Sequence, residues 1–531
     1  MTTVALNPSA TLLRILSRSA NTEIGKRWNF ASIQSVDDFR RNVPLTDYEI
    51  YSPYIQRMMD SGEKDLIVCG DVVYYAPTSG TTSEIKYIPK YANFKGDEMK
   101  HAMLGPTAMF ANMPRVKKWM ALGVPIIPGS SNLLHALLSV EPYTFPAPPK
   151  AYYIADLTDA LYVQMVFALK TVPVNTSVIA SFFISTLITA FNVLASEWPQ
   201  IVADIRKGRL KASLKLDTEE RESLEEAMGG PNAARANELQ VIFESASVTK
   251  FKEIVPQIWP CVDLVSVLCG GEFSHYIPRL QYFLGNAISL FSFFYISSEG
   301  LLGINKWPRK CVSAYALLPE STFYEFIPLH QAEVPNPDVL LIDEVKVGEY
   351  YEIVMTTAEG LYRYRPGDII TVVEISPEGP VIDVIGRKTM TINLMGVKLH
   401  GFQVGDAVGA FIKHFKKQSM DYDYLISIDT SLVPSRYVIW LECGSGDLYF
   451  TATDATAVIE EHLKSSNLDY NLYVESGWIG PLAIEQVKPG TIEEVKHILK
   501  QRSAVGETQM KLPRVVWDME LLGLLKNSIV I

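Results

Sequence analysis

The sequence predicts an α/β protein, with a large multi-sheet N-terminal domain followed by a small α+β unit. Three observations carry that reading. Between residues 100 and 330, apolar strand-like runs such as 263–269 and 288–296 alternate with helical patterns, as in a sheet covered by helices. From 336 to 385 the texture is hairpin-like, because Gly348, Gly360 and Gly367 punctuate β-branched and aromatic runs. After Gly386 it changes again, to helical patterns at 402–415, 454–466 and 492–502 around strand-like runs at 424–429 and 437–443. The expected division is 1–386 and 387–531.

Taken in order, residues 1 to about 75 read as helices with short turns. The segment 66–77 has β-rich runs on either side of Gly70-Asp71, a hairpin signal. Residues 176–195 carry no charge and imitate a membrane span. Six of them are Ser or Thr and Asn192 interrupts the apolar end, so a buried helix is expected. Glu197, Trp198 and the basic run Arg206-Lys207-Gly208-Arg209 then look like that helix leaving the core. The charged, helical stretch 204–255 reads as a surface excursion.

Composition narrows the function classes. The chain has 531 residues, 48% apolar and 20% charged, which suits large cores and excludes a disordered protein. Lys plus Arg is 48 against 59 Asp plus Glu, a net charge of −11, so no nucleic acid is expected as a partner. Five scattered cysteines without a CxxC pair argue against a disulfide framework or structural zinc. The N-terminus has no apolar run of signal-peptide length, so the Asn175-Thr176-Ser177 sequon reads as coincidence. A cytoplasmic monomer with no membrane partner is expected. The phosphate loop GxxxxGK[ST], GxGxxG, HExxH and GxSxG are all absent. Ser83-Glu84-Ile85-Lys86 fits SxxK, but neither SDN nor KTG completes a penicillin-binding site.

Three motifs remain. Thr78-Ser79-Gly80-Thr81-Thr82, with Lys86 beyond it, follows a β-run, and its hydroxyls and amides can wrap phosphate oxygens. Tyr295-Ile296-Ser297-Ser298-Glu299-Gly300 follows an apolar strand and places a carboxylate where it can hold Mg²⁺. Gly360 to Asp368 (GLYRYRPGD) ends in an Asp that can accept both hydroxyls of a ribose. Each also has an ordinary meaning alone: a Ser/Thr turn, a solvated Glu, a turn-stabilising Asp.

Together and in this order, with Gly386-Arg387 after them, the motifs resemble the adenylate-forming superfamily of acyl-CoA synthetases, peptide-synthetase adenylation domains and luciferases. More closely, the chain resembles the Gretchen Hagen (auxin-responsive) family of acyl acid–amido synthetases. NTEIGKRWNF, FRRNVPLTDYE, the segment 258–280 with its Trp-Pro and double Gly, YISSEGLLGIN, GLYRYRPGD and QMKLPR extend the likeness nearly end to end. Two positions depart from the family pattern: Ser83 stands where relatives carry Gly, and Thr389 where the hinge Asp of a GRKD segment would be.

The resemblance implies a luciferase-like fold with a mobile C-terminal domain, and a reaction. A small carboxylic acid would attack the α-phosphate of ATP, and the acyl group of the resulting acyl-AMP would pass to an amine, in this family an amino acid. It also assigns parts. Ser79, Gly80, Thr81 and Thr82 would cradle the phosphates. Tyr295 would lie against adenine near Gly270 and Gly271, Ser298 would meet the α-phosphate, and Asp368 would bind the ribose. Glu299 would hold Mg²⁺, while Lys398 and Lys511 would arrive from the mobile domain as catalytic lysines. Two other functions stay open at this point: thioester formation with CoA, and a non-catalytic adenylate-binding scaffold. The acyl pocket is expected around 100–190 and 290–330, where Met103, Met109, Phe110, Phe182 and Phe183 are equally consistent with core.

Overall fold

The computed structural model describes residues 8–77, 86–91, 120–121, 124–125, 147–154, 156–170, 178–307, 312–388, 391–394, 397–414, 422–444, 452–502 and 512–530. Four helices lead, α1 (Pro8–Ser19), α2 (Glu23–Arg27), α3 (Val36–Asn42) and α4 (Tyr48–Ser61). Side chains of Thr22, Ser35 and Asp47 cap α2, α3 and α4 by accepting from backbone amides left free in the first turn.

The first hairpin differs from the one expected at Gly70-Asp71. Strand β1 (Val72–Pro77) pairs antiparallel with β2 (Tyr87–Tyr91), so it closes across 78–86. Leu66, Ile67 and Val68 are instead buried in the core, and the amides of Glu23 and Ile24 bond the carbonyls of Asp65 and Leu66. A local turn signal lost to tertiary packing. Strands β3 (Met120–Ala121) and β4 (Val124–Pro125) form a short antiparallel pair.

Helix α5 (Leu157–Lys170) precedes β5 (Val178–Phe183) and α6 (Ile184–Lys207). Of the uncharged stretch expected to be one helix, Val178–Phe183 is therefore strand and the helix begins at Ile184. The strand's β-branched and aromatic residues join β6 (Leu264–Leu268) in parallel, and β6 joins β7 (Ser289–Phe291) likewise. Helices α7 (Thr218–Ala227) and α8 (Ala233–Val248) lie in the expected surface excursion, yet Leu210, Leu224, Leu239 and Phe243 are buried with Ile188 and Val265 in one core. That segment is a covering layer. No helix among the described residues is long and apolar enough to cross a membrane.

Helices α9 (Val255–Ile258) and α10 (Ile277–Leu284) flank the return to the second sheet. Its strands are β8 (Phe294–Ser297), β9 (Gly300–Ile304), β10 (Tyr315–Leu317), β11 (Thr322–Pro328), β12 (Tyr350–Thr357), β13 (Asp368–Ser376) and β14 (Gly379–Arg387). They run in the order β11-β12-β13-β14-β10-β9-β8, antiparallel throughout. The single apolar run 288–296 thus supplies strands to two sheets. The change occurs at buried Ser292, whose amide bonds the Val312 carbonyl and whose hydroxyl lies 2.6 Å from that of Tyr315.

Beyond residue 390, the hairpin β15 (Thr391–Leu394) and β16 (Val397–His400) leads into α11 (Gly401–His414). Strands β17 (Tyr422–Asp429) and β18 (Arg436–Cys443) are antiparallel, and β19 (Ala483–Val487) joins β18 in parallel. Helices α12 (Ala452–Ser466), α13 (Leu468–Glu475), α14 (Thr491–Arg502) and α15 (Met519–Asn527) complete this part. The core under the seven-stranded sheet reaches Val384, and the next core begins at Ile392.

Candidate active site

The site grows from the pairing of β13 with β14. Their register sets Asp368, the first residue of one, opposite Arg387, the last of the other. Arg387 donates from Nε to Asp368 Oδ1 at 3.0 Å, and Tyr295 on β8 donates its hydroxyl to Asp368 Oδ2 at 2.7 Å. Asp368 and Tyr295 are both buried. Burial first, then the Asp368 charge, holds the Tyr295 hydroxyl well above its ordinary range, so it stays protonated and donates.

Glu299 lies in the turn between β8 and β9 and is only 5% exposed. Among the described residues nothing donates a hydrogen bond to its carboxylate or pairs with it. Burial, and then the Glu299 charge, push the hydroxyl of buried Tyr364 upward, while Arg387 opposes them. Glu299, Tyr364 and Arg387 therefore share one electrostatic neighbourhood. A buried carboxylate without a cation is costly, and hard oxygen donors suit Mg²⁺, so this donor fits the metal that the motif implies. Ser298 is half-buried beside it.

Gly270 and Gly271 form a tight edge. A Cβ on Gly270 would lie 3.0 Å from the Ser313 Cβ and 3.4 Å from the Tyr315 hydroxyl. Gly271 has φ +56, and a Cβ there would lie 3.0 Å from the Val384 carbonyl. Both contacts favour a residue without a side chain. Beside them is an acceptor that the sequence reading missed: Asp383 Oδ1 is buried with no hydrogen-bond partner. Burial pushes the Asp383 carboxyl up to about 6, against a hydrogen bond from Ser313. Within the run VIDVIGR it reads as an ordinary polar strand position, and only the fold places it behind the glycines.

The rest of GLYRYRPGD is scaffold. Tyr362 is fully buried and its amide donates to the Tyr51 hydroxyl at 2.8 Å. Arg363 donates to Glu325 at 3.0 Å and Arg365 to Glu352 at 2.9 Å. Its last residue enters the site, and Tyr364 lies within reach of the Glu299 and Arg387 charges.

Ser79, Gly80, Thr81 and Thr82 lie outside the described residues, as do Ser83, Thr389, Lys511, Met103, Met109, Phe110 and the Phe182 side chain. The flanks of the phosphate loop are described. Tyr48 accepts from the Tyr87 amide at 2.8 Å and donates to its carbonyl at 3.3 Å, and the Lys86 ammonium is 5.4 Å from the Tyr48 ring centroid. Phe183 packs with Phe273, their ring centroids 5.9 Å apart.

Lys398 is half-buried on β16, and its carbonyl accepts from Asn467 at 2.7 Å. It shares a strand face with His400, whose ring stacks on Phe402 at 5.6 Å, and Phe402 stacks on Tyr350 of β12 at 5.5 Å. No described contact joins Lys398 to Asp368 or Glu299. Tyr295, Asp368, Glu299, Ser298, Gly270 and Gly271 thus gather around the β8, β13 and β14 ends, and Lys398 stands apart.

Comparison with known proteins covers nearly the whole chain. The GH3 family N-terminal domain matches residues 5–288, the GH3 family central domain 315–387 and the GH3 family C-terminal domain 402–520. Indole-3-acetic acid-amido synthetase GH3.6 of Arabidopsis thaliana is 28% identical over 98% of this chain and 90% of its own length. The 4-substituted benzoates-glutamate ligase GH3.12 of the same plant is 26% identical over 93% and 89%. Among solved structures, GH3.15 acyl acid amido synthetase superposes with a TM-score of 0.82 at 24% identity, covering 99% of this chain and 93% of that one. A 2-hydroxyisobutyryl-CoA ligase in its postadenylation state shares the fold at a TM-score of 0.54 and 12% identity, covering 98% and 92%.

Proposed function

The chain belongs to the GH3 family and has the fold of the adenylate-forming enzymes, and on that premise we propose that it is an ATP-dependent acyl acid–amido synthetase. It adenylates a small carboxylic acid, releasing pyrophosphate, and passes the acyl group to the amine of an amino acid. The observation that carries this reading is the convergence of Tyr295, Asp368, Arg387 and Glu299 on one buried site.

A carboxylate resists amines because its oxygen is a poor leaving group. In the first step that oxygen bonds to the α-phosphorus of ATP, and the bond to pyrophosphate breaks. In the second, the amine nitrogen bonds to the acyl carbon, AMP departs, and the amine loses a proton. The protein's task is mainly positioning and charge neutralisation. Asp368 accepts the ribose hydroxyls, and its orientation is set in advance by Arg387 and Tyr295. Tyr295 and the edge at Gly270 and Gly271 bound the adenine. Ser79, Gly80, Thr81 and Thr82 cradle the phosphates with Lys86, and Ser298 meets the α-phosphate. Glu299 holds Mg²⁺, which when bound neutralises phosphate charge. Lys398 and Lys511 belong to a small domain that follows β14, whose last residue is Arg387, and that rotates against the large part between the two steps. The protein acts as a cytoplasmic monomer.

The relatives are named for indole-3-acetic acid and 4-substituted benzoates, so an acid panel begins there. The test is acid-dependent exchange of labelled pyrophosphate into ATP, followed by product analysis with amino acids and with CoA. Exchange and an amide product are expected. A thioester product would replace the second step, and no exchange with any acid would leave only a nucleotide-binding scaffold.

A further inference from the structure

Tyr276 is the last residue of the 3₁₀ turn Gly271–Tyr276, which begins at the second glycine of the nucleotide edge. From the large part of the molecule it meets two cations of the small one. The Lys496 ammonium on α14 lies 5.8 Å from the Tyr276 ring centroid and also hydrogen-bonds its hydroxyl, and the Arg514 charge acts on the same tyrosine through space. Those cations form a bracket. Lys496 donates to Asp423 Oδ2 at 3.2 Å, and Arg514 pairs with Asp423 Oδ1. Arg514 also lies 4.5 Å over the Tyr424 ring, donates to the Tyr424 carbonyl at 2.7 Å and is only 4% exposed. Burial opposes the Lys496 charge, and Asp423 followed by Tyr276 more than offset it. Arg514 therefore anchors the chain three residues beyond Lys511.

We propose that Tyr276 is a positioning residue for adenylation, holding the bracket against the nucleotide edge so that Lys511 is aligned for the first step. The inference rests on the ligase reading above. A ring that attracts cations through its face and accepts from them through its hydroxyl is a contact that forms and breaks with small-domain rotation. No continuous apolar core has to be torn for that.

The test separates the two half-reactions in the full-length protein. Tyr276→Leu and Lys496→Met should each slow pyrophosphate exchange about tenfold, with the acid of the panel that works best for wild type. Amide formation from pre-formed acyl-adenylate, ATP affinity and Tm should stay close to wild type. Tyr276→Phe, which keeps the ring, should recover most of the exchange. The double variant should be no worse than either single, because both remove one contact. Equal loss in both half-reactions, additive losses, or wild-type exchange in both variants would overturn the positioning role. A wild-type chain that exchanges nothing with any acid would overturn the ligase reading itself, and this role with it.

Discussion

The two halves of the site are held in opposite ways. The half bearing Tyr295, Asp368, Arg387 and Glu299 sits on strand ends of one antiparallel sheet, where register and burial leave each group one position. The half bearing the lysines meets the large part through separable contacts, the Tyr350–Phe402–His400 stack and the approach of Lys496 and Arg514 to Tyr276. On the proposed reading, groups needed throughout the reaction are built into a sheet, and groups needed in one step are carried on a part whose contacts can be exchanged, which costs alignment but allows two arrangements of one chain.

The sharpest way to break that comparison is at Glu299. Glu299→Gln should lower pyrophosphate exchange about 10³-fold, while Tm stays close to wild type, because the amide keeps the shape of the carboxylate but not its charge. Parallel loss of activity and Tm would make Glu299 structural.

The two parts should also respond oppositely to acid. Burial, aided by the Lys398 charge, lowers His400 in the small part from 6.5 to about 4. The unfolded chain then binds more protons between these values, so the His400 contribution is kept above about 6.5 and lost as pH falls toward 4. Its full size is about 3 kcal/mol. Asp383 in the large part is raised from 3.8 to about 6 by burial, so its contribution is full below 3.8 and lost as pH rises through 6. Denaturant melts across this range should show His400→Leu flattening the acid loss and Asp383→Asn steepening it. Unchanged slopes in both would refute the assignment.

Lys511→Ala sharpens the comparison at the smallest scale. Pyrophosphate exchange should fall about 10²-fold, with ATP binding within a few-fold, since the large part alone supplies the nucleotide wall. Equal losses in exchange and binding would place Lys511 in ATP recognition instead.

Local chemistry was readable before the fold. YISSEG and the final Asp of GLYRYRPGD end at positions the structure brings together, and the hairpins at 336–385 and the elements after 400 form as expected. Other readings failed where a local signal met a distant partner. Gly70-Asp71 signals a turn, but the packing of Ile67 beside Gly360 claims that segment. The uncharged stretch 176–195 satisfies a helix until β6 offers a parallel neighbour to its first half. The run 288–296 looks continuous because both sheets it serves are apolar.

The amino-acid order by itself determined which chemical groups stand at which motif: the hydroxyls of 78–82, the carboxylates Glu299 and Asp368, and the lysines 398 and 511. Only the tertiary structure decided their partners. Arg387 reaches Asp368 across 19 residues, Tyr295 reaches it across 73, and Asp383 Oδ1 is left without a donor behind two glycines. The physical reason is that motif chemistry depends on neighbours a few bonds away. Burial and hydrogen-bond partnership depend on strand register, which long-range packing sets.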